Sequence, residues 1–380
     1  MPTSSGFQIG EILTSSDTNK YLLRPYDNCI INGSMNIAQR STSVAGISSG
    51  DTLYSVDRWK FGLVSAGTWT QSQIAIPASE QPAEDGARQA VRLLCTTANA
   101  SPSAGSYAIL YQVIEGFNTQ QFAKGTVNAK PFALSFWVRA NLTGTYVVEL
   151  FDHTNGRKVS ASYSITSSNV WQKVRLIFPA DTTGAIANST AAGLSVYCWL
   201  VAGSNYASSS LNTVWGTPAN TARATGQSNL AGTVNNFFDM TAVQLEPNSV
   251  CTPFQNRLYG EELALCQRYF YKINGTSQYE PVASAGVNQA ATNHWRTQAS
   301  LPVPMRKALT TADMTHVLLA AYDGAGIVIV TSGAIVGHAI GSTMLSIDWS
   351  SGGSLTTGRP VVVLTNPYGS ASYFQVSAEL

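Results

Sequence analysis

Short apolar runs, separated by clusters of Gly, Ser, Asn, Asp and Pro, follow one another along the chain from about residue 58. In several runs, large apolar side chains recur at every second position. Successive residues of a strand point to opposite faces, so these apolar side chains share one face. Two clear sets are Phe132, Leu134, Phe136 and Val138, and Leu194, Val196, Cys198 and Leu200. One face of each strand is therefore expected to be buried and the other to be wet. The pattern predicts an all-β chain, built mainly from a large jelly-roll-like antiparallel β-sandwich.

One segment has helical character instead, at 259–270. Glu261 and Glu262 lie in its first turn and Arg268 in its last, where each charge complements the helix dipole. This helix is expected to separate the large sandwich from a smaller C-terminal module, predicted to be a second β-sandwich. The predicted organisation is an N-terminal attachment and oligomerisation arm at 1–28, the jelly-roll sandwich at 29–258, a linking helix at 259–272 and the C-terminal module at 273–380.

Two polar stretches stand apart from the predicted strands. Residues 1–28 carry only isolated apolar side chains and cannot close a core alone, so we expect them to pack on sister subunits or on other parts of a particle. Residues 203–235 form a long segment with few apolar side chains. Loops of this length are usually either functional or disordered.

Charge and cysteine content exclude several classes of partner. Charged residues make up 11% of the chain and its formal net charge is +1, against roughly 25% charged residues in a typical domain. No basic surface is therefore expected to bind nucleic acid or an anionic membrane.

No targeting or membrane-spanning segment is predicted. The N-terminal residues have no signal-peptide pattern. The apolar stretch 317–340 is interrupted by Asp323 and His338, so it predicts buried strands and no membrane insertion. The five cysteines lack metal or disulfide spacing, which indicates assembly in a reducing cytoplasm.

The sequence predicts no catalytic residue, no metal and no cofactor. Residues 46–50 match G-x-S-x-G, but neither the preceding strand nor the following helix of a nucleophile elbow is present, so a loop is predicted. Asp152 and His153 could be half of a catalytic triad or part of a hairpin turn, and the turn is the preferred interpretation. Carboxylates are sparse. A glycosidase pair can nevertheless be distant in sequence, so cleavage stays open.

The aromatic residues are the best candidates for ligand contact. Trp59, Trp137, Trp171 and Trp199 lie in alternating strands and are expected in the core. Aromatic residues in loops or at strand ends could stack on the apolar face of a sugar, with nearby Asn and Asp binding its hydroxyls; the alternative is a partly buried lid. The candidate ligand-binding residues are Tyr322, Asp323, Asp348, Trp349, Asn366 and Tyr368 in the C-terminal module, with Tyr206 and Trp215 in the long segment. For Trp349, capping of the core is the preferred alternative.

Several segments together resemble phage and prophage tail-fibre proteins. They are NCIINGSMNIAQR at 28–40, YSVDRW at 54–59, FALSFWVR at 132–139, GTY at 144–146, FDMTAVQLE at 238–246, TPF at 252–254, EELALCQRYFY at 261–271, LPVPMR at 301–306 and SAEL at 377–380. The resemblance implies a jelly-roll, carbohydrate-binding-module-like domain in a receptor-binding fibre, which is usually a homotrimer.

From this resemblance we expect a virion subunit that attaches the phage to the host cell surface. Its partners would be its own copies, other virion proteins through the arm, and a host surface glycan. One alternative is a structural or decorating fibre on the head or collar. Another is a spike that cleaves glycan. The resemblance supplies no catalytic residues.

Overall fold

The computed structural model describes residues 28–50, 55–274, 279–289, 293–353, 355–365 and 372–380. The predicted arm at 1–28 lies, apart from Asn28, outside the described residues. The strands are β1 Ser43–Ile47, β2 Lys60–Val64, β3 Thr68–Ala75, β4 Gln89–Thr97, β5 Tyr107–Glu115, β6 Phe132–Ala140, β7 Gly144–Asp152, β8 Arg157–Ile165, β9 Gln172–Phe178, β10 Ala192–Ala202, β11 Phe237–Glu246, β12 Phe270–Asn274, β13 Pro281–Gln289, β14 His294–Ser300, β15 Met314–Val317, β16 Leu319–Tyr322, β17 Ile327–Gly337, β18 Met344–Ser351, β19 Pro360–Thr365 and β20 Tyr373–Ser377.

Helical structure is confined to short segments of the described chain. The α-helices are α1 Ser204–Ala207 and α2 Tyr259–Gln267, and the 3-10 turns are Gln81–Asp85, Gly116–Phe122, Leu230–Gly232 and Thr311–Asp313. Among the described residues, no helix is both long enough and apolar enough to cross a membrane. The all-β prediction is confirmed.

Strands β1 to β11 form two antiparallel sheets. One sheet has the order β1-β3-β4-β11-β6-β9 and the other has the order β2-β5-β10-β7-β8. The chain changes sheet between β4 and β5 and again on either side of β10, as a jelly-roll-like sandwich requires. The two alternating sets predicted from the sequence, at 132–138 and 194–200, are buried between the sheets. Trp59 also lies in this core, as predicted.

The chain after Asn28 is fixed against β11. The backbone N–H of Cys29 donates to the Leu245 carbonyl at 3.0 Å, and the N–H of Val243 donates to the Gly33 carbonyl at 3.0 Å. A Cβ at Gly33 would lie 2.2 Å from the Val243 carbonyl oxygen, so this approach requires glycine.

Helix α2 confirms the predicted helix, although it ends at Gln267 and not at residue 270. Phe270 already begins β12, which pairs with β20. Two of the three residues singled out for the helix dipole have further roles. Glu262 is buried and accepts a hydrogen bond from the Asn32 backbone, while the Arg268 guanidinium binds Glu115 on β5 at 2.9 Å.

The predicted loop at 46–50 is partly a strand. Gly46 and Ile47 belong to β1, and Ile47 pairs with Trp69 of β3. Gly46 has φ +71°, which suits the irregular pairing between Val44 and Ile47.

The C-terminal module is arranged differently from the predicted second sandwich. Six strands, β13-β14-β18-β17-β16-β19, close into a barrel, and β12-β20-β15 form a separate three-stranded sheet. Irregular pairing in β13 and β17 provides the physical reason, because bulges increase the local bend and twist that closure requires.

Residues after β20 contact the sandwich. The Ala378 backbone donates to the Tyr269 carbonyl at 2.7 Å, and the Glu379 carboxylate forms an ion pair with Arg58, whose side chain is 2% exposed. Arg306, which precedes β15, donates to the carbonyls of Ala378 and Thr190. Buried polar contacts therefore join the two modules.

Candidate functional site

The outer face of the five-stranded sheet is aromatic, although its inner face forms the main core. Strand alternation explains this, because β5 and β10 send every second side chain away from the core. The outward set is Tyr107, Ile109, Tyr111, Tyr197 and Trp199. The register brings the two strands' rings together, with Tyr111 opposite Tyr197 and Ile109 opposite Trp199.

These side chains line a concave site, which we call the aromatic cleft. Its volume is about 210 Å³, and its lining residues are Gly62, Tyr107, Ile109, Tyr111, Tyr197, Trp199, Tyr206 and Arg223. The ring centroids of Tyr111 and Tyr197 are 5.1 Å apart, and those of Trp199 and Tyr206 are 5.3 Å apart. Gly62 has no side chain, and it pairs with Ile109, so space remains over that residue.

The long segment at 203–235 forms one wall of the cleft. Helix α1 carries Tyr206, whose backbone carbonyl accepts the N–H of Ala224 at 2.9 Å. The same segment is hydrogen-bonded to the edge strand β8, where the Ser160 N–H donates to the Asn212 carbonyl at 2.7 Å. The loop is therefore ordered by backbone pairing, and it brings Tyr206 and Arg223 onto the sheet from positions 17 residues apart in the chain.

Arg223 crosses the cleft above the rings and is held by Glu149 of β7. Its Nε and Nη2 groups donate to the two carboxylate oxygens at 2.8 Å each. Its guanidinium carbon lies 5.1 Å from the Trp199 ring centroid and 5.8 Å from that of Tyr197. Such cation–π contacts fix the orientation of both partners.

Burial sets the protonation behaviour of this pair. Burial raises the pKa of the Glu149 carboxyl, and the hydrogen bonds from Arg223 oppose this rise. Burial lowers the pKa of Arg223, but the hydrogen bonds and charge of Glu149 outweigh this effect, so the pKa of Arg223 is raised. Arg223 therefore stays cationic, and Glu149 needs this cation to remain ionised in a buried position.

The two candidates from the long segment have different environments. Tyr206 lines the aromatic cleft and is half-buried. Trp215 belongs to the main core, where its ring packs 5.3 Å from Phe132 and its indole N–H donates to the Pro179 carbonyl at 2.8 Å. The ring of Trp215 is consequently not available to stack on a sugar.

The candidates in the barrel do not form a common site. Trp349 is 1% exposed, and its indole N–H donates to the Thr297 hydroxyl at 2.7 Å, so it packs in the core as the alternative interpretation held. Asp348 precedes it on β18 and points to the opposite face, where it binds Arg296 in an exposed ion pair.

The remaining barrel candidates are a turn residue and an exposed strand end. The Asp323 carboxylate accepts backbone hydrogen bonds from Thr356, Ala325 and Gly326, which hold its pKa well below the usual range. Its role there is to close a turn. Tyr322 is 44% exposed at the end of β16. Asn366 and Tyr368 lie outside the described residues.

Comparisons with known proteins do not identify the chain. No family model matches it, and no curated protein matches its sequence. Among solved structures, it is similar to the enzymatically active domain of Bacteriophage CBA120 tailspike protein 4, at 14% identity and a TM-score of 0.33, over 60% of this chain and 22% of the tailspike chain. This chain thus corresponds to less than a quarter of that tailspike.

Two sugar-binding structures are also similar. One is a putative sugar binding protein from Bacteroides thetaiotaomicron VPI-5482, at 14% identity and a TM-score of 0.30, over 58% of this chain and all of the other. The second is a family 11 carbohydrate-binding module from Clostridium thermocellum in complex with a mixed-linked tetrasaccharide, at 10% identity and a TM-score of 0.26, over 54% and 98% of the two chains. With TM-scores below 0.5, these likenesses carry no argument about function.

Sequence reasoning missed most residues of the aromatic cleft. Trp199 was expected in the core because its strand alternates, and its side chain is indeed only 1% exposed. It nevertheless lies on the outer face, because Cys198 and Leu200 on either side face the core. Tyr197, two positions earlier on the same strand, lies on the outer face for the same reason. The signal was present in the sequence: aromatic residues at the odd positions of a strand whose even positions are apolar.

Asp152 and His153 do not form a catalytic triad. The Asp152 carboxylate accepts the backbone N–H groups of Thr154 and Asn155 and binds the Lys124 ammonium at 2.6 Å, so it organises a turn as predicted. His153 Nε2 lies 2.7 Å from the Ser195 hydroxyl, but Ser195 is fully buried and no substrate could reach it. Burial lowers the pKa of His153 to about 4.

One buried pair of carboxylates in the sandwich binds the protein's own lysine. The Lys124 ammonium is buried and contacts Asp152 at 2.6 Å, Asp181 at 3.0 Å and the Gly184 carbonyl at 2.8 Å. Within the described residues, no group of three or more His, Cys, Asp or Glu side chains could hold a metal ion. The described cysteines are free thiols.

Proposed function

We propose that this chain is a glycan-binding protein and that the aromatic cleft is its binding site. The observation that carries the proposal is the arrangement of four tyrosines and a tryptophan around an open cavity, of which Tyr111 and Trp199 are buried, with a fixed guanidinium beside them. Tyr107, Tyr197 and Tyr206 are all half-buried, so their rings are partly accessible to a ligand.

The physical chemistry of the cleft suits a sugar. The C–H face of a pyranose ring is apolar and covers an aromatic ring well, while its hydroxyls need hydrogen-bonding groups at the edge of the contact. Arg223 supplies donors at that edge, while Glu149, which is buried and bound through both oxygens, holds Arg223 in place. Because Glu149 holds the guanidinium in one orientation, little side-chain entropy is lost when a ligand binds.

We further propose that binding serves attachment of a phage particle to its host, in a tail fibre or another surface fibre of the virion. The segments that resemble tail-fibre proteins support this assignment. In such a fibre, residues 1–28 would join the chain to its sister subunits and to other virion proteins. The receptor contact would lie on the sandwich, and not in the C-terminal module where the sequence placed most candidates.

The chain is proposed to bind glycan without cleaving it. A glycosidase needs two carboxyl groups that can exchange protons with the substrate on either side of the scissile bond. Glu149 is buried and bound to Arg223 through both oxygens, so it is poorly placed to act as an acid or base.

The test is replacement of Tyr206 by alanine in the full chain. Tyr206 lies on the loop wall, so its removal should leave the sandwich core intact and weaken binding to host-surface polysaccharide by about 1–3 kcal/mol, as for other aromatic anchors. Affinity electrophoresis or calorimetry would measure the loss. Tyr259→Ala is the matched control, since Tyr259 is 65% exposed on helix α2 and does not line the cleft. Unchanged affinity in the Tyr206 variant would contradict the proposal.

A further inference from the structure

Three cationic side chains lie on the outer face that forms the aromatic cleft, and one of them, Arg223, lines it. Each lies over a ring of the outer face: the Lys60 ammonium is 5.8 Å from the Tyr111 ring centroid, the Lys158 ammonium is 5.8 Å from that of Phe151, and Arg223 is 5.1 Å from that of Trp199. These cations come from β2, β8 and the long loop. Their convergence is a property of the fold, since the net charge of the whole chain is only +1.

Three side-chain carboxylates on or beside this face are each bound by an arginine. Glu149 is directly opposite Tyr197 on the sheet, but it is fully buried and both of its oxygens accept from Arg223. At the C-terminal end of β5, Glu115 is bound by Arg268. Glu379, which follows β20, is bound by Arg58. Of these three groups, Glu149 acts on Lys158 through its charge, but its hydrogen bonds go to Arg223.

Lys158 and Arg223 affect each other. The Lys158 ammonium donates to the neutral side-chain oxygen of Asn220 at 3.0 Å. Burial lowers the pKa of Lys158, and the charge of Arg223 lowers it further, although Glu149 acts in the opposite direction. Glu149 accepts hydrogen bonds only from the Nε and Nη2 groups of Arg223, so this carboxylate does not bind the Nη1 group of the guanidinium. Lys158, Arg223 and Glu149 together therefore carry a net positive charge at the edge of the sheet beside β8.

Building on the proposed function, we infer that the ligand is an acidic glycan, whose carboxylated sugar sits between Lys158 and Arg223 while its ring stacks on the aromatic cleft. A carboxylate at this point would form charge-assisted hydrogen bonds with both cations and relieve their mutual repulsion. A neutral sugar would stack on the same rings but would leave that repulsion in place. Lys158 is thus a specificity-determining residue for charge.

Matched polysaccharides give the direct test. The full chain is presented with a set of uronate-containing and sialate-containing polysaccharides, each paired with its carboxyl-reduced derivative, at low and at high salt. Affinity electrophoresis gives the dissociation constants. Dextran sulfate serves as a probe of charge alone. We expect binding to at least one carboxylated polysaccharide, loss of that binding on carboxyl reduction, and weaker binding at high salt.

Two charge-removing variants complete the test. Lys158→Gln should weaken binding of the carboxylated ligand about ten- to a hundredfold, the effect of losing one hydrogen bond between charged groups. Lys130→Gln removes the same charge outside the cleft, just before β6 of the opposite sheet, and should leave the affinity unchanged.

The outcomes separate the two proposals. Equal affinity for the carboxylated and reduced forms, binding to neutral polysaccharides alone, or binding to dextran sulfate as strong as to any carboxylated ligand would overturn the acidic-glycan inference and leave glycan or anion binding in place. A Lys158→Gln variant with unchanged affinity would also overturn it. Absence of binding to every polysaccharide in the set would overturn the proposed function itself.

Discussion

At the residue scale, the Arg223–Glu149 pair is the most consequential contact of the aromatic cleft. Glu149 is fully buried, so its charge depends on the guanidinium that binds it. Arg223 is only partly exposed, with 17% of its side chain accessible. Removing one member of such a pair costs more than the pair itself contributes, because the other member is left buried without a counter-charge.

We expect Arg223→Met to destabilise the protein by about 3 kcal/mol at neutral pH. Without the arginine, burial raises the pKa of Glu149 in the folded state further above its value in the unfolded chain. The folded variant then binds a proton more tightly than the unfolded chain does, so its stability is greatest at acidic pH and falls as the pH rises through the folded-state pKa. Urea denaturation of wild type and variant across this pH range would measure the difference.

The control for this prediction is the double variant Arg223→Met with Glu149→Gln. Glutamine keeps the shape of the side chain but carries no charge, so the stability of the double variant should not show the extra decline with rising pH. If the single variant lost stability equally at every pH, the loss would be due to packing, and the buried charge of Glu149 would not be its cause.

At the element scale, the sequence predicted most strands and their inner faces. Alternation is a local signal, and it identifies which residues share a face; thus the set from Leu194 to Leu200 was assigned correctly to the core. It does not reveal whether the opposite face meets water, another element or a ligand. That depends on what the rest of the chain brings to the sheet, and it explains why Trp199 and Tyr197 were not recognised.

The long loop and the barrel show the same limit. The polar composition of 203–235 indicated a loop, but its pairing with β8 is a non-local contact, made through Ser160 and Asn212. The barrel differs from the predicted sandwich because closure depends on bulges, which have no reliable signature in a single sequence. Trp349 was a candidate because it comes near the end of its strand, and it packs in the core as the preferred alternative held. Its partner there, with ring centroids 6.3 Å apart, is Phe374 of a strand outside the barrel, a contact that strand alternation could not predict.

At the scale of the whole molecule, the contact between sandwich and barrel rests on a small cluster of charges. Glu379 pairs with Arg58, which is nearly inaccessible, and also lies 3.4 Å from Arg40. The Arg58 guanidinium is 3.5 Å from the centroid of the Tyr269 ring. Loss of the carboxylate would leave cations from the sandwich without this partner at the boundary between the modules.

Glu379→Ala should therefore uncouple the unfolding of the two modules. We expect the calorimetric transition of the variant to broaden or divide, with the barrel melting at a lower temperature than in wild type, because buried ion pairs are costly to break. Asp348→Ala removes an acid from an exposed pair in the barrel and is the matched control, since such pairs contribute little. Identical melting profiles for the two variants would contradict the role given to Glu379.

Assembly of the whole molecule is the last prediction, and we expect a homotrimer. Apolar side chains are exposed on the barrel along the end of β17 and the turn to β18, where Val336 is 46%, Ile340 is 68% and Met344 is 41% exposed. A subunit contact would remove this surface from water, and closed symmetric assembly is the usual result when identical chains share such a patch. Light scattering after size exclusion should give about three times the 40.4 kDa mass of one chain.

Ile340→Glu should shift the protein towards monomer, because it places charge in the contact. Val127→Glu, at a site 91% exposed on the sandwich, should leave the mass unchanged. A wild-type monomer at micromolar concentration would rule the assembly out, and a trimer unaffected by Ile340→Glu would move the contact to another surface.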